Sequence, residues 1–322
     1  MDYRGADVGP INTRGPPTAG AAASSGAGQM KIKIHDVNLK VSLRTASHYV
    51  TWFLGTRFPK TIPLVFVVGY PKSGTTWACQ VVADYLQLPF PRYSLLPVGC
   101  PAVVHGHERV WKSYPRGVYV LRDGRDALVS QYFYLSRPIA PGDHPSLTAR
   151  QRRTFPAMVN KANVRDNIAG FIERQMTRPD TSRVNWGEHV RSYYQGTNPN
   201  VVLLRYEDLL QEGEPALAGA MSQLTGQEAD LDRVRDTIKK FSFQQQAGRH
   251  AGQEDRSSLL RKGQAGDWMN YFTLEAAEIF DHYCGQMLIR TGYERDRSWV
   301  RSCDREASAA DGVGQLTPAE QR

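Results

Sequence analysis

The chain has 322 residues, 41% of them hydrophobic, a formal net charge of +8 and four cysteines, enough apolar material for one large α/β core. No apolar run approaches the roughly 18–20 residues of a membrane-crossing helix, the nearest candidate being Tyr49 to Leu54; Cys79, Cys100, Cys284 and Cys303 are isolated, with neither zinc-ligand spacing nor the density of a disulfide scaffold. The positive charge suits a nucleic acid, an anionic surface or a polyanionic small molecule.

Residues 1–30, rich in Gly, Ala, Ser and Pro, are expected to form a disordered leader. The absence of a signal-peptide pattern and the sparse cysteines point to a reducing cytoplasm. The body, 31–301, begins its regular pattern with Leu64-Val65-Phe66-Val67-Val68, a buried strand, followed by Gly69-Tyr70-Pro71-Lys72-Ser73-Gly74-Thr75-Thr76-Trp77 and a helical stretch over Thr75–Leu86. A strand–loop–helix junction presents backbone N–H groups and the positive end of a helix dipole to an anion. Gly69 and Gly74 have the spacing of the triphosphate loop G-x-x-x-x-G-K-[ST]. Here Thr75 and Thr76 follow the second glycine, and the lysine sits inside the loop at Lys72, which argues against an ATPase.

Next comes Ala102-Val103-Val104-His105-Gly106-His107; on an extended strand residues two apart face the same side, so both imidazoles are expected at one site. A second strand, Val118–Leu121, ends at Arg122, with Ser130 in the helical stretch Arg125–Leu135. Arginine at a strand end offers a planar fork for a phosphate, and a serine one to two turns into the next helix adds a hydroxyl. Residues 137–165 carry Pro138, Pro141, Gly142, Pro145 and the basic Arg150, Arg152 and Arg153; they read as a lid over an acceptor or as a solvated loop. Helical stretches over Ile168–Met176, His189–Tyr194 and Leu274–Ile289 and a strand over Val201–Leu204 complete an alternation that predicts a single α/β domain, a mostly parallel sheet flanked by helices. Ligands in such sheets sit at strand carboxyl ends, where both the lysine loop and Arg122 fall. Near the end, Arg261 and Lys262 place two cations beside Gly263, with a tight turn at Gly266-Asp267. From 302 to 322 no hydrophobic face remains, and a loose tail is expected.

These segments together resemble the cytosolic-type sulfotransferases that use 3′-phosphoadenosine 5′-phosphosulfate (PAPS). Pro71 to Trp77 reproduces the phosphosulfate-loop signature P-K-S-G-T-T-W, and Arg122 with Ser130 resembles the 3′-phosphate motif. Arg261-Lys262-Gly263-Gln264-Ala265-Gly266-Asp267-Trp268 resembles R-K-G-x-x-G-D-W, while Phe241-Ser242-Phe243 and Tyr206-Glu207-Asp208 resemble T-S-F and Y-E-D. The resemblance implies a P-loop-like donor site for PAPS built from Pro71, Lys72, Ser73, Gly74, Thr75, Thr76 and Trp77, with Lys72 between the 5′-phosphate and the departing sulfuryl group. It implies Arg122, Ser130, Arg261, Lys262 and Gly263 at the 3′-phosphate, and Trp77, Tyr206 and Phe243 around the adenine. It puts His107 on the family's general-base histidine and His105 on its lysine, a departure: His105 either replaces that lysine near the sulfuryl oxygens or orients its neighbour, and a slipped alignment exchanges the two roles.

The acceptor implied is the hydroxyl or amine of a small molecule, with no metal and no nucleic acid. Tyr93, Leu95, Leu96, Phe133, Tyr134 and Phe155 are candidates for an apolar acceptor wall or for core. His189, in a W-x-x-H-V pattern, reads as packing. The family's dimer element K-x-x-x-T-V-x-x-x-E is only partly matched: Thr273 and Glu278 agree, whereas Met269 and Leu274 replace Lys and Val, so a homodimer stays open. Two alternatives remain: a P-loop kinase with Asp123 as magnesium ligand, and a nucleotide-binding module without catalysis.

Overall fold

Burial on both faces is what the apolar runs demand. In the computed structural model, which describes residues 37–92, 94–109, 113–136, 163–179, 182–196 and 198–303, the chain opens with helix α1 (Val37–Arg57), strand β1 (Leu64–Gly69), helix α2 (Thr75–Leu86) and strands β2 (Ala102–Gly106) and β3 (Gly117–Leu121). Every residue of β1 and β3 is buried, as in parallel sheets covered on both sides. Helices α3 (Gly124–Ser136), α4 (Val164–Thr177) and α5 (Trp186–Gly196) lead to β4 (Val201–Arg205). Then come α6 (Tyr206–Gln211), α7 (Gly213–Thr225), α8 (Leu231–Lys240), α9 (Phe243–Ala247), a 3-10 turn at Asp267–Asn270 and α10 (Leu274–Arg290).

The four strands lie in the order β2-β1-β3-β4, all parallel, with Val67 opposite His105 and Val118. Alternation along the strands divides the core in two. Leu64, Phe66, Val68, Tyr119 and Leu121 share one cluster with Leu128, Ile172, Trp186 and Phe280 of the helices on that side. Val65, Val67, Val118 and Val120 point the other way, against Val81, Val82, Leu217 and Met221 of α2 and α7. The architecture is thus the single α/β domain with a parallel, helix-flanked sheet that the sequence predicts.

Helix α2 has the predicted limits, and α3, α4, α5 and α10 extend each prediction by one to four residues at an end, α4 and α5 beginning at the buried Val164 and Trp186. Helices α1 and α6–α9 lie outside the predicted stretches. Strand β2 ends at Gly106, so His105 is on the strand and His107 just beyond it. A Cβ at Gly106 would stand 2.5 Å from Cζ2 of Trp52, so the strand end admits only glycine. The expected leader 1–30 and the lid segment up to 162 lie outside the described residues, as do Tyr93, Phe155 and the tail from 304; residues 164 and 165 open α4. No described helix is long and apolar enough to cross a membrane.

One charged group is built into this core. The Arg125 side chain, 3% exposed, binds Asp123 at 2.7 Å and Glu294 at 2.5 Å. Its guanidinium lies 3.8 Å from the Trp268 ring centre and 4.6 Å from that of Trp299, a cation between two aromatic faces. Trp299 and Cys303, both buried, hold the last described turn, 299–303, against the domain. Arg125→Ala leaves two carboxylates without their cation, so a loss of about 3–5 kcal/mol is expected, to be measured by urea denaturation.

Candidate active site

The sheet order reverses direction at the β1–β3 pair. Strand β1 runs through α2 to β2 on one side, and β3 runs through α3 to α5 to β4 on the other; a crevice opens outside the carboxyl ends at such a point. The loop after β1 occupies it. Lys72 has φ 70° and Gly74 φ 83°. A left-handed lysine costs about 1–3 kcal/mol unless its surroundings impose it, and here they do: Ser73 N–H donates to the Tyr70 carbonyl at 3.0 Å, and Arg122 Nη1 donates to the Lys72 carbonyl at 3.0 Å. A Cβ on Gly74 would lie 2.6 Å from Cδ2 of Tyr206, so the tyrosine ring closes over a position only glycine fills. The Lys72 ammonium stands 4.7 Å from the centre of the Tyr134 ring.

Arg122 is fixed from three directions. Trp186 Nε1 donates to its carbonyl at 3.0 Å, its own Nη1 reaches the loop, and its guanidinium stacks 4.2 Å from the Tyr206 ring centre. Trp77 meets Tyr206 edge-on at 5.8 Å and donates through Nε1 to the Phe241 carbonyl at 2.8 Å. Asp126, at the start of α3, accepts from the backbone N–H of Gly266 at 2.7 Å and of Trp268 at 2.8 Å. Burial, offset in part by Arg122, pushes the Asp126 carboxyl up to about 6. This carboxylate latches the 261–268 segment to the first turn of α3. Within that segment Arg261 and Lys262 both pair with the buried Asp267, and Gly263, at φ 62°, sits against the Phe243 ring. Burial, outweighed by the hydrogen bonds from Lys262 and Arg261, leaves the Asp267 carboxyl below its usual range.

The two histidines meet edge-to-face with ring centres 4.6 Å apart. His105 Nε2 is 3.2 Å from the hydroxyl of Thr75, the first residue of α2. His107 Nδ1 lies 2.8 Å from the Gly69 carbonyl; a carbonyl only accepts, so the hydrogen is on Nδ1 and the lone pair of the neutral ring is on Nε2. Burial, opposed by that hydrogen bond, lowers the His107 pKa to about 4, and His105 is also held well below its ordinary value by burial and by His107. His189, read from the sequence as packing, is buried but hydrogen-bonded at both nitrogens. Its Nε2 donates to the His107 carbonyl at 3.2 Å, and its Nδ1 accepts from the Tyr119 hydroxyl at 2.9 Å.

The residues predicted for the site therefore fall into three groups. Lys72, Ser73, Gly74, Thr75, Trp77, Arg122, Tyr206, His105 and His107 are linked by the contacts above, and Pro71 and Thr76 belong to the same loop and helix start. Arg261, Lys262, Gly263 and Phe243 form a second group joined to the first through Asp126. Ser130, half-buried on α3, has no hydrogen bond to Arg122 among the described residues. Of the proposed acceptor wall, Phe133 packs under the Arg261 guanidinium at 4.3 Å, Tyr134 faces Lys72, and Leu96 is 74% exposed. Asp123, the magnesium ligand of the kinase alternative, spends both oxygens on Arg125. Among the described residues no group of three or more His, Cys, Asp or Glu is placed to hold a metal ion. The loop fits an anion on its own evidence: Ser73 Oγ and Arg122 Nε are buried there without a hydrogen-bond partner among the described residues, and such donors call for an acceptor.

A wholly parallel sheet with a left-handed lysine in the loop at its switch point and a stacked arginine at the next strand end defines an α/β protein with a phosphate-cradling loop. Comparison with known proteins narrows this. The profile of the family described as "Sulfotransferase domain" matches residues 102–292, more than half of the chain. The chain belongs to the sulfotransferase family and is an enzyme of sulfuryl transfer. The match begins at β2, so the loop after β1 rests on its own sequence and geometry. A 3-alpha-hydroxysteroid sulfotransferase of Cavia porcellus is 26% identical over 284 residues, 71% of this chain and 91% of that protein. An amine sulfotransferase of Oryctolagus cuniculus is 24% identical over 256 residues, 67% and 78% respectively. Among solved structures, mouse sulfotransferase SULT7A1 complexed with PAP has the same fold, with a TM-score of 0.51 and 20% identity over 75% of this chain and 88% of that one.

The buried His189 makes the positioning of His107 sensitive to acid. Burial is the largest cause of its pKa falling from 6.5 to about 4. A group depressed in the folded state contributes stability that is complete above its unfolded value and is lost as pH falls from there towards 4, about 3 kcal/mol in this case. In His189→Leu the difference in stability between pH 7 and pH 4.5, measured by urea titration, is expected to shrink by most of that amount.

Proposed function

We propose that the donor is PAPS, held by the loop 71–77 and by the Arg122 and 261–263 groups, and that His107 is the general base for a small-molecule hydroxyl or amine. The observation that carries this reading is the tautomer of His107: its Nδ1 hydrogen is engaged by the Gly69 carbonyl, at the root of the lysine loop, which leaves Nε2 as a neutral proton acceptor. PAPS supplies an activated sulfuryl group, and the PAP in the mouse relative's structure is what such a donor leaves behind. The acceptor proton passes to His107 Nε2 as the acceptor atom bonds to sulfur and the bond from sulfur to the phosphate oxygen breaks. Lys72 stabilises the charge that collects on that phosphate. The anionic donor raises the proton affinity of His107 from its depressed value towards the range suited to proton transfer.

His105, neutral and hydrogen-bonded to Thr75, positions the start of α2 and the His107 ring. Arg261 and Lys262, gathered on Asp267, offer a preorganised cationic pair to the 3′-phosphate, with Ser130 alongside. Trp77, Tyr206 and Phe243 supply ring faces for the adenine. The hydroxysteroid and amine in the relatives' names support a small-molecule acceptor, and the cysteine pattern supports a cytoplasmic enzyme. The consumption of Asp123 by Arg125 weighs against the kinase alternative.

With isotope-labelled PAPS and a panel of acceptors read by mass spectrometry for an added SO3, Lys72→Ala is expected to lower kcat by an amount equivalent to about 3–4 kcal/mol. His107→Ala should lower it by about 10²–10⁴-fold. Arg122→Ala and Arg261→Ala should chiefly raise the KM for PAPS. Undiminished turnover in the first two variants would overturn the roles assigned.

A further inference from the structure

Arg261 is engaged at both terminal nitrogens of its guanidinium: Nη2 pairs with Asp267 and Nη1 with Glu254. The flat face of the group lies 4.3 Å from the Phe133 ring centre, and its charge repels Arg122, the other arginine of the donor site. A guanidinium grips a phosphate through the N–H groups at its edges. A phosphate therefore gains this fork only where a carboxylate gives up its share.

The two carboxylates are not equivalent. The Asp267 side chain is 2% exposed and also accepts from Lys262 and, at 2.9 Å, from the Asn270 amide; parting it from its cations would leave a buried charge unpaired. Glu254 lies at the surface, its side chain 26% exposed, and is also met by Arg256 at 3.1 Å and by the Tyr271 hydroxyl at 3.4 Å. Burial, outweighed by the hydrogen bonds from Arg261 and Arg256, leaves the Glu254 carboxyl below its usual range, so it is an anion at neutral pH. Arg256, itself 51% exposed, and water can receive that carboxylate when Arg261 releases it.

Release needs a side-chain rotation and no movement of the main chain. The Gly252 N–H donates to the Lys262 carbonyl and the Asp255 N–H to the Arg261 carbonyl, each at 2.8 Å, and Arg249 Nη2 reaches the same Arg261 carbonyl at 2.9 Å. These bonds hold 252–255 beside 261–262 and keep the Glu254 carboxylate close to Arg261, at the high effective concentration of a tethered partner. A free anion competes poorly against it. A phosphate carried on a nucleotide that the 71–77 loop also grips is tethered in its turn, and competes on even terms.

We propose that Glu254 sets the affinity of the enzyme for 3′-phosphorylated nucleotides: its carboxylate and the 3′-phosphate compete for the Arg261 fork, and Glu254 turns to Arg256 and solvent when the phosphate takes that place. This rests on the reading of the 261–263 group as the 3′-phosphate site and adds to it a residue that weakens the hold on donor and product alike.

The test is calorimetry on the full chain and on Glu254→Gln with two ligands, 3′-phosphoadenosine 5′-phosphate (PAP) and 5′-AMP, which lacks the 3′-phosphate. PAP is expected to bind Glu254→Gln about three- to tenfold more tightly, between the worth of an exposed ion pair and that of a charge-assisted hydrogen bond, while 5′-AMP binds both proteins alike. The gain for PAP should shrink as salt rises and vanish in an Arg261→Gln background, the cycle that isolates the pair. A glutamate that merely held Arg261 in place would give the opposite sign, weaker PAP binding on its removal. Unchanged or weaker PAP binding in Glu254→Gln, an equal gain for both nucleotides, or a gain that persists without Arg261 would overturn the proposal and leave sulfuryl transfer standing; circular dichroism shows that the variants are folded. Failure of the parent chain to bind PAP would instead remove the donor assignment on which the proposal stands.

Discussion

A single guanidinium ties three strand ends together. Arg122, leaving β3, donates to the carbonyl of Lys72 beyond β1 and stacks on Tyr206 beyond β4, and that ring closes over Gly74. The left-handed lysine is thus held by contacts from two other strand ends, those of β3 and β4. Such strain persists only where the surroundings over-determine it, and the determination here is long-range: positions 72, 122 and 206 converge only when all three crossovers are complete. The same guanidinium keeps a buried nitrogen in reserve, so the clamp that shapes the loop also belongs to the ligand's charge.

The histidine pair shows how one substitution changes the electrostatics of a site without changing its layout. Where the resemblance leads one to expect a lysine, His105 offers a neutral ring hydrogen-bonded to Thr75. Its affinity for protons is lowered by burial and by its neighbour, and two imidazoles this close titrate as a coupled pair. In the proposed mechanism the pair accepts one proton at His107, while fixed positive charge comes from Lys72 in the loop.

Much of this was legible in the sequence because the signals are local. Buried strands are short apolar runs, and a phosphate loop needs its glycine and its cation within a few positions. What was not legible is made of common residues meeting at a distance. Nothing near Asp126 announces that its carboxylate holds Gly266 and Trp268, and Arg125 reads as a surface cation until two tryptophans from the last third of the chain close on it. From the sequence His189 reads as packing, and it is buried; its bonds to Tyr119 and the His107 carbonyl come from the coming together of α5, β3 and the end of β2. Helices α6 and α9 span six and five residues, so periodicity has too few turns to show, and β2 stops at Gly106, one residue short of His107.

The Arg125 stack also bears on how the molecule is made. Trp299 closes over a guanidinium that leaves the ribosome some 170 residues earlier, and Trp268, which it meets edge-on, is the anchor of the segment carrying Arg261 and Lys262. Until Trp299 is in place, one face of that cation and the neighbouring Trp268 ring lack their cover. Nascent chains at this stage expose apolar surface of the kind that chaperones recognise and that aggregates. A chain cut before residue 299 would keep every strand of the sheet but lack one of the two rings over Arg125 and the ring that Trp268 meets edge-on.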